Sequence, residues 1–215
     1  MEKDPTLVRN LLVLIDVQNG FAPPPRAPQI THLREMAERA NRLPDWQVVH
    51  VVLGLFHERP CVATDPAEMT RLADATQMYL RPQPGDAVLL KWTDSAFEPD
   101  APDTALLRDY IGRFTMVRRA FNGGYYRRAC AGRTTIDQAA LLPQARHTFM
   151  ADASCPAHSL DPISQLPHKG NVHLGWIADA QEALAVSEEA LAEQTRAAMQ
   201  VSGHAGCFHR MPRAG

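Results

Sequence analysis

Leu11-Leu12-Val13-Leu14-Ile15-Asp16 is a continuous apolar run that ends on a carboxylate. A strand with one wet face alternates apolar and polar residues; an unbroken run suits a central parallel strand covered on both faces. Working outward, Leu33, Met36, Ala37, Ala40 and Leu43 fall at helical spacing behind Thr31, a candidate N-cap. Gln47-Val48-Val49-His50-Val51-Val52-Leu53 is β-branched and reads as a second strand. A short helix is expected within Pro66 to Leu80, then a turn at Arg81-Pro82-Gln83-Pro84-Gly85-Asp86, then a third strand, Ala87-Val88-Leu89-Leu90, ending at Lys91. Asp103 or Thr104 can open a helix bearing Leu106, Leu107, Tyr110 and Ile111. Phe114 to Phe121 reads as a fourth strand stopped by Asn122-Gly123-Gly124. A helix from about Arg127 to Leu142 and a strand from His147 to Met150 continue the alternation.

Strands alternating with helices at this spacing predict an α/β fold, a parallel three-layer α/β/α sheet with right-handed crossovers. Asp16, Lys91 and Cys130 then fall at strand carboxyl ends or at the adjoining helix start, the edge where open parallel sheets bind ligands. Beyond Asp152, Pro156 to Asn171 reads as a long loop. Val172 to Ile177 reads as a last strand and Ala180 to Met199 as an amphipathic helix that docks on its own sheet or on another subunit. A single domain over 1–202 and a flexible tail over 203–215 follow.

The chain has 215 residues, 45% of them hydrophobic, enough for one substantial core. Lys and Arg number 22 against 24 Asp and Glu, a formal charge of -2, so no strong field draws nucleic acid or a membrane surface; the expected partner is a small molecule. The run before Asp16 is far shorter than the roughly 20 residues of a membrane span. The acidic, proline-bearing start is unlike a secretory signal, which predicts a cytoplasmic protein. Cys61, Cys130, Cys155 and Cys207 lack paired-cysteine spacing and read as free thiols, each a core filler or a nucleophile.

Three motifs in order carry a resemblance. Leu12 to Phe21, with Asp16, resembles the strand and turn bearing the catalytic aspartate of isochorismatase-like cysteine hydrolases. Lys91-Trp92-Thr93-Asp94-Ser95-Ala96-Phe97 is similar to their K-x-x-x-S-A-F segment, whose lysine is catalytic. In the third, Gly124, Cys130, Thr134 and Asp137 match in register while Tyr125 to Ala129 diverge. Ala151-Asp152-Ala153 resembles a strand-end aspartate of the family, so the likeness spans roughly residues 11 to 152.

The resemblance implies a mainly parallel sheet of about six strands and, for members with the cysteine, hydrolysis of amide-like C–N bonds without an organic cofactor; members with glycine there cleave a vinyl ether. It casts Cys130 as nucleophile, Asp16 as proton acceptor and donor, and Lys91 as electrostatic support. It puts the oxyanion-binding amides at Cys130 and Tyr126, beside a cis Tyr125–Tyr126 bond, and implies a homo-oligomer, dimer or tetramer. The chemistry fits the residue types: a thiol with pKa of about 8.5 needs a base, a cation or a helix N-terminus, and with all three near Cys130 a thiolate that labels fast at neutral pH is expected. Arg127 and Arg128 either contact an anionic substrate group or face solvent. Phe21, Trp92, Phe97 and Tyr125 either wall an aromatic pocket or belong to the core. The zinc-binding relatives carry Asp-x-His after the second strand; here Leu55-Phe56-His57 stands in that place, so no metal is expected and His57 reads as a pocket or structural histidine. Two other readings stay open: a binding or regulatory protein that has lost turnover, and a redox protein pairing Cys130 with Cys155.

Overall fold

The computed structural model describes residues 3–21, 25–54, 59–125, 130–154 and 170–205. The opening run forms β1 (Asn10–Ile15), buried along its whole length. Its side chains divide by parity: Leu11, Val13 and Ile15 enter one core layer, Leu12 and Leu14 the other. A strand in the middle of a three-layer sheet has no solvent face, and this is why the run does not alternate.

In chain order there follow α1 (Pro28–Asn41), β2 (Trp46–Leu53), β3 (Cys61–Ala63), α2 (Pro66–Ala75), β4 (Ala87–Lys91), α3 (Ala105–Gly112), β5 (Arg119–Gly124), α4 (Gly132–Leu141), β6 (Arg146–Met150), β7 (Val172–Gly175) and α5 (Ile177–Ala205). The sheet runs β3-β4-β2-β1-β5-β6-β7, parallel throughout except for β3, which pairs antiparallel with β4. Helices α1 and α5 close one face through Ile30, Leu33, Met36, Ile177, Ala180 and Leu184. Leu107, Ile111 and Ala131 belong to the layer on the other. Helix α5 is fastened by polar contacts as well. Trp46 Nε1 donates to Ser187 Oγ (3.0 Å), which donates to Asp45 Oδ2 (2.8 Å), and Arg39 makes a bidentate pair with Glu188 (2.9 and 2.8 Å). No helix among the described residues is long and apolar enough to cross a membrane.

Five features differ from the sequence expectation, one being that β7 ends at Gly175 and Ile177, expected in that strand, opens α5. The sheet has seven strands rather than about six, because β3 is three residues long and too short to show a period. Helix α1 begins at Pro28 after Ala27, so Thr31 is no cap; its hydroxyl bonds back to Ala27 O (3.4 Å) from within the first turn. Strand β5 lies three to five residues later than the reading of Phe114 to Phe121: the glycines continue it instead of ending it. A Cβ on Gly123 would sit 2.9 Å from the Ala153 Cβ and the Met150 Cε, and one on Gly124 would sit 1.9 Å from Ile15 O. Close strand approach demands glycine there. Helix α5 starts before Ala180 and runs on to Ala205, so the first residues of the expected tail are helical; 206–215 lie outside the described residues.

Candidate active site

Asp16 directly follows β1, with its backbone N–H bonded to Val51 O of β2 (2.8 Å) and a φ of +52°. The left-handed conformation costs a non-glycine residue roughly 1 to 2 kcal/mol, and aspartate is among the residues that visit it. It turns the chain sharply at the carboxyl edge of the sheet. Lys91 ends β4, two strands away across β2, and its ammonium reaches back to within 3.1 Å of Asp16 Oδ2. The pair is almost completely dry, at 0% and 1% side-chain exposure. Lys91 Nζ also donates to Thr93 O (3.1 Å). Cys130 lies in a wider helical turn leading into α4, is 7% exposed, and brings its thiol within hydrogen-bonding reach of both Asp16 and Lys91.

The ion pair is oblique: among the described residues neither carboxylate oxygen of Asp16 takes part in a well-directed hydrogen bond. A lone pair is thus left for a proton. Burial raises the Asp16 pKa above the usual carboxylate range, with Lys91 and the thiol opposing the rise. Burial also pushes Cys130 up to about 11, and the Asp16 charge adds to this while Lys91 opposes it. Burial and the Asp16 charge thus work against a resting thiolate, opposite to the expectation from the residue types, and burial strengthens the Asp16 carboxylate as a base.

Two of the sequence motifs are physically joined here. The Ala96 N–H donates to Thr134 Oγ1 (3.2 Å), fixing the segment after Lys91 to the first turn of α4, and an exposed Arg133–Asp94 pair (3.1 Å) repeats the link. Gln18, to which the sequence reading gave no role, fastens the turn after Asp16. Its amide donates to Leu53 O (3.1 Å) and Thr76 O (2.9 Å), and its oxygen accepts from Leu53 N (2.8 Å). Only the long-range contact reveals it.

Comparison with solved structures identifies the fold. The chain is similar to an N-carbamoylsarcosine amidase from Thermoplasma acidophilum (19% identity, TM-score 0.53, covering 79% of this chain and 97% of that one). It is similar also to an isochorismatase family protein from Desulfovibrio vulgaris subsp. vulgaris str. Hildenborough (21%, 0.55, 83% and 99%). A cysteine hydrolase from Pseudomonas syringae pv. phaseolicola 1448A is a third (16%, 0.54, 87% and 96%). The chain has the isochorismatase-like fold. No family model and no curated protein matches it.

Within this isochorismatase-like fold the remaining expected site residues separate. Phe97 (0% exposed) and Tyr125 (1%) belong to the two core layers, which corrects the reading of either as an open pocket wall. Phe21 is half-buried at the rim of the α1 layer and Trp92 is 44% exposed, so these two aromatics have faces to offer. His57, Tyr126, Arg127, Arg128 and Cys155 lie outside the described residues, and with them the Tyr126 half of the oxyanion assignment and the Tyr125–Tyr126 bond. Asp152 has a structural partner: its Oδ1 accepts from Ile177 N (2.7 Å) at the start of α5. Among the described residues no three His, Cys, Asp or Glu side chains are grouped as metal ligands.

Proposed function

We propose that the protein is a cysteine hydrolase cleaving the C–N bond of a small amide-type substrate through a thioacyl intermediate. The observation that carries the reading is the dry Asp16–Lys91 pair at 3.1 Å with the Cys130 thiol against it. The likeness to an amidase and to a cysteine hydrolase in fold supports it.

Cys130 sulfur attacks the substrate carbonyl carbon as its proton passes to Asp16, so the thiolate is formed only in the act of attack. Lys91 holds the carboxylate and offsets the charge that develops on sulfur. Collapse of the tetrahedral adduct breaks the C–N bond, and the Asp16 proton leaves with the amine nitrogen. Water then attacks the thioester carbonyl, giving one proton to Asp16 and one oxygen to the acyl group. Cleavage of the C–S bond returns that proton to Cys130. The Cys130 amide, beside the nucleophile, and that of Tyr126 are assigned to the oxyanion, where each donor contributes roughly 3 to 4 kcal/mol. Trp92, Phe21, His57 and Arg127 are assigned to substrate recognition.

The deciding experiment is release of ammonia from a panel of primary amides and ureido compounds, and of hydrazine from hydrazides, with Cys130→Ser as control. Product formation with the native chain and none with the serine variant is expected. A panel without any Cys130-dependent product would sink the enzyme reading in favour of a fold retained for binding.

A further inference from the structure

At the edge of the sheet opposite the candidate active site, a cavity of about 460 Å³ opens between α5 and the amino ends of β1 and β5. Three arginines line it: Arg9 just before β1, Arg118 just before β5, and Arg119 at its start. Asp45 is the one carboxylate in its wall, and it is already committed, its Oδ2 accepting from Asn10 Nδ2 (2.9 Å) and Ser187 Oγ (2.8 Å). Among the described residues none of the three guanidinium groups has an ion-pair partner. Three like charges left unpaired around one hollow, in a chain of net charge -2, call for an anion.

The cavity is also built. The side chain of Asn10 is 1% exposed, and its Oδ1 accepts from Arg119 Nε (2.9 Å), which fixes that guanidinium and leaves its two terminal nitrogens free to fork onto an oxyanion. Arg9 is steadied in the same way by Thr6 O (2.8 Å). The opposite wall is apolar, with Val186, Ala190 and Leu191 of α5. An adjoining hollow of about 220 Å³ shares Arg119 and adds Arg146, Asp179 and Glu182, so Arg9 and Arg118 are the two arginines that belong to the larger cavity alone.

We propose that this cavity is a second ligand site, which takes an organic anion: a phosphate or carboxylate held by Arg9, Arg118 and Arg119, attached to an apolar body resting on α5. Its volume lies in the range of small-molecule sites. The six residues of β1 separate it from Asp16 by about 20 Å, so its occupant is not the molecule hydrolysed.

The test is calorimetric titration of the full chain with phenyl phosphate, benzoate and inorganic phosphate. Saturable one-to-one binding of an aromatic anion is expected, tighter than that of inorganic phosphate. The preferred aromatic anion tells which oxyanion the arginines select. Arg118→Gln with Arg119→Gln should weaken binding about tenfold or more, the loss of one or two charged hydrogen bonds. Val186→Asp, a change on an exposed face of α5 that leaves the core untouched, should do the same by adding a carboxylate to the wall. Cys130→Ser should leave it unchanged. The proposal is overturned by absence of saturable binding, by equal binding in Val186→Asp, by loss of binding in Cys130→Ser, or by a dimer that Val186→Asp dissociates, which would make the face a subunit contact. None of these outcomes depends on amide hydrolysis.

Discussion

The Asp16 charge helps to hold the proton on Cys130, while the thiol favours the ionised form of Asp16. Because the Asp16 charge helps to keep the thiol protonated, Asp16→Asn has two opposite effects. Hydrolysis should fall by about 10²- to 10⁴-fold with the loss of the proton acceptor. Iodoacetamide labelling of Cys130 at pH 8 to 9 should become faster, since the thiol then titrates lower; mass spectrometry of the labelled peptide checks it. In the native chain that labelling should be slow at neutral pH and climb steadily towards pH 11. Asp16, Lys91 and Cys130 were legible in the sequence because each is a chemically unusual ending to an apolar segment or a helix start. The state of the proton was not, since burial of Cys130 and the distance to Asp16 arise only when β1, β4 and α4 come together.

At the level of elements, contacts between segments matter more than the motifs taken singly. Gly124 has a φ of +148° and touches the β1 backbone, so Gly124→Ala should destabilise the fold by about 3 kcal/mol or more, read as a lower urea midpoint. Thr134→Val removes the acceptor for the buried Ala96 N–H. It should cost about 1 to 3 kcal/mol and lower kcat, since the segment carrying Lys91 loses its tie to α4. The apolar runs of β1, β2 and β4 marked those strands plainly. Strand β3 was missed because three residues show no period, and β5 was misplaced because Gly123 and Gly124 carry a turn-like composition although their reason is crowding against Ala153 and Ile15. The C-terminal helix was seen from its apolar stripe, yet its fastening through Ser187 and Glu188 to Asp45 and Arg39 joins positions too distant for pattern reading.

For the molecule as a whole, the response to acid is set partly by His147, fully buried in β6 with Nε2 bonded to Leu142 O (3.1 Å). Burial holds its pKa below the ordinary 6.5, the backbone bond opposing. The unfolded chain then binds the proton more readily than the folded one, so this contribution is complete above pH 6.5 and is lost as pH falls through 6.5 towards the folded value. Melting scans should show the thermal midpoint declining below pH 6.5, and His147→Gln should flatten that decline. Asp16, with its pKa raised, acts in the opposite sense on acidification, and the difference between the two chains isolates the histidine.

The strand order gives the candidate site a history. Asp16 and Lys91 both belong to the half of the sheet made of β1, β2 and β4, which is complete in the chain before Cys130 is reached. The charge pair can therefore close as soon as that half has folded, while the sulfur arrives only when β5 zips onto β1 and carries α4 with it. Any opening that peels β5 from β1 draws Cys130 away and leaves the Asp16–Lys91 ion pair standing.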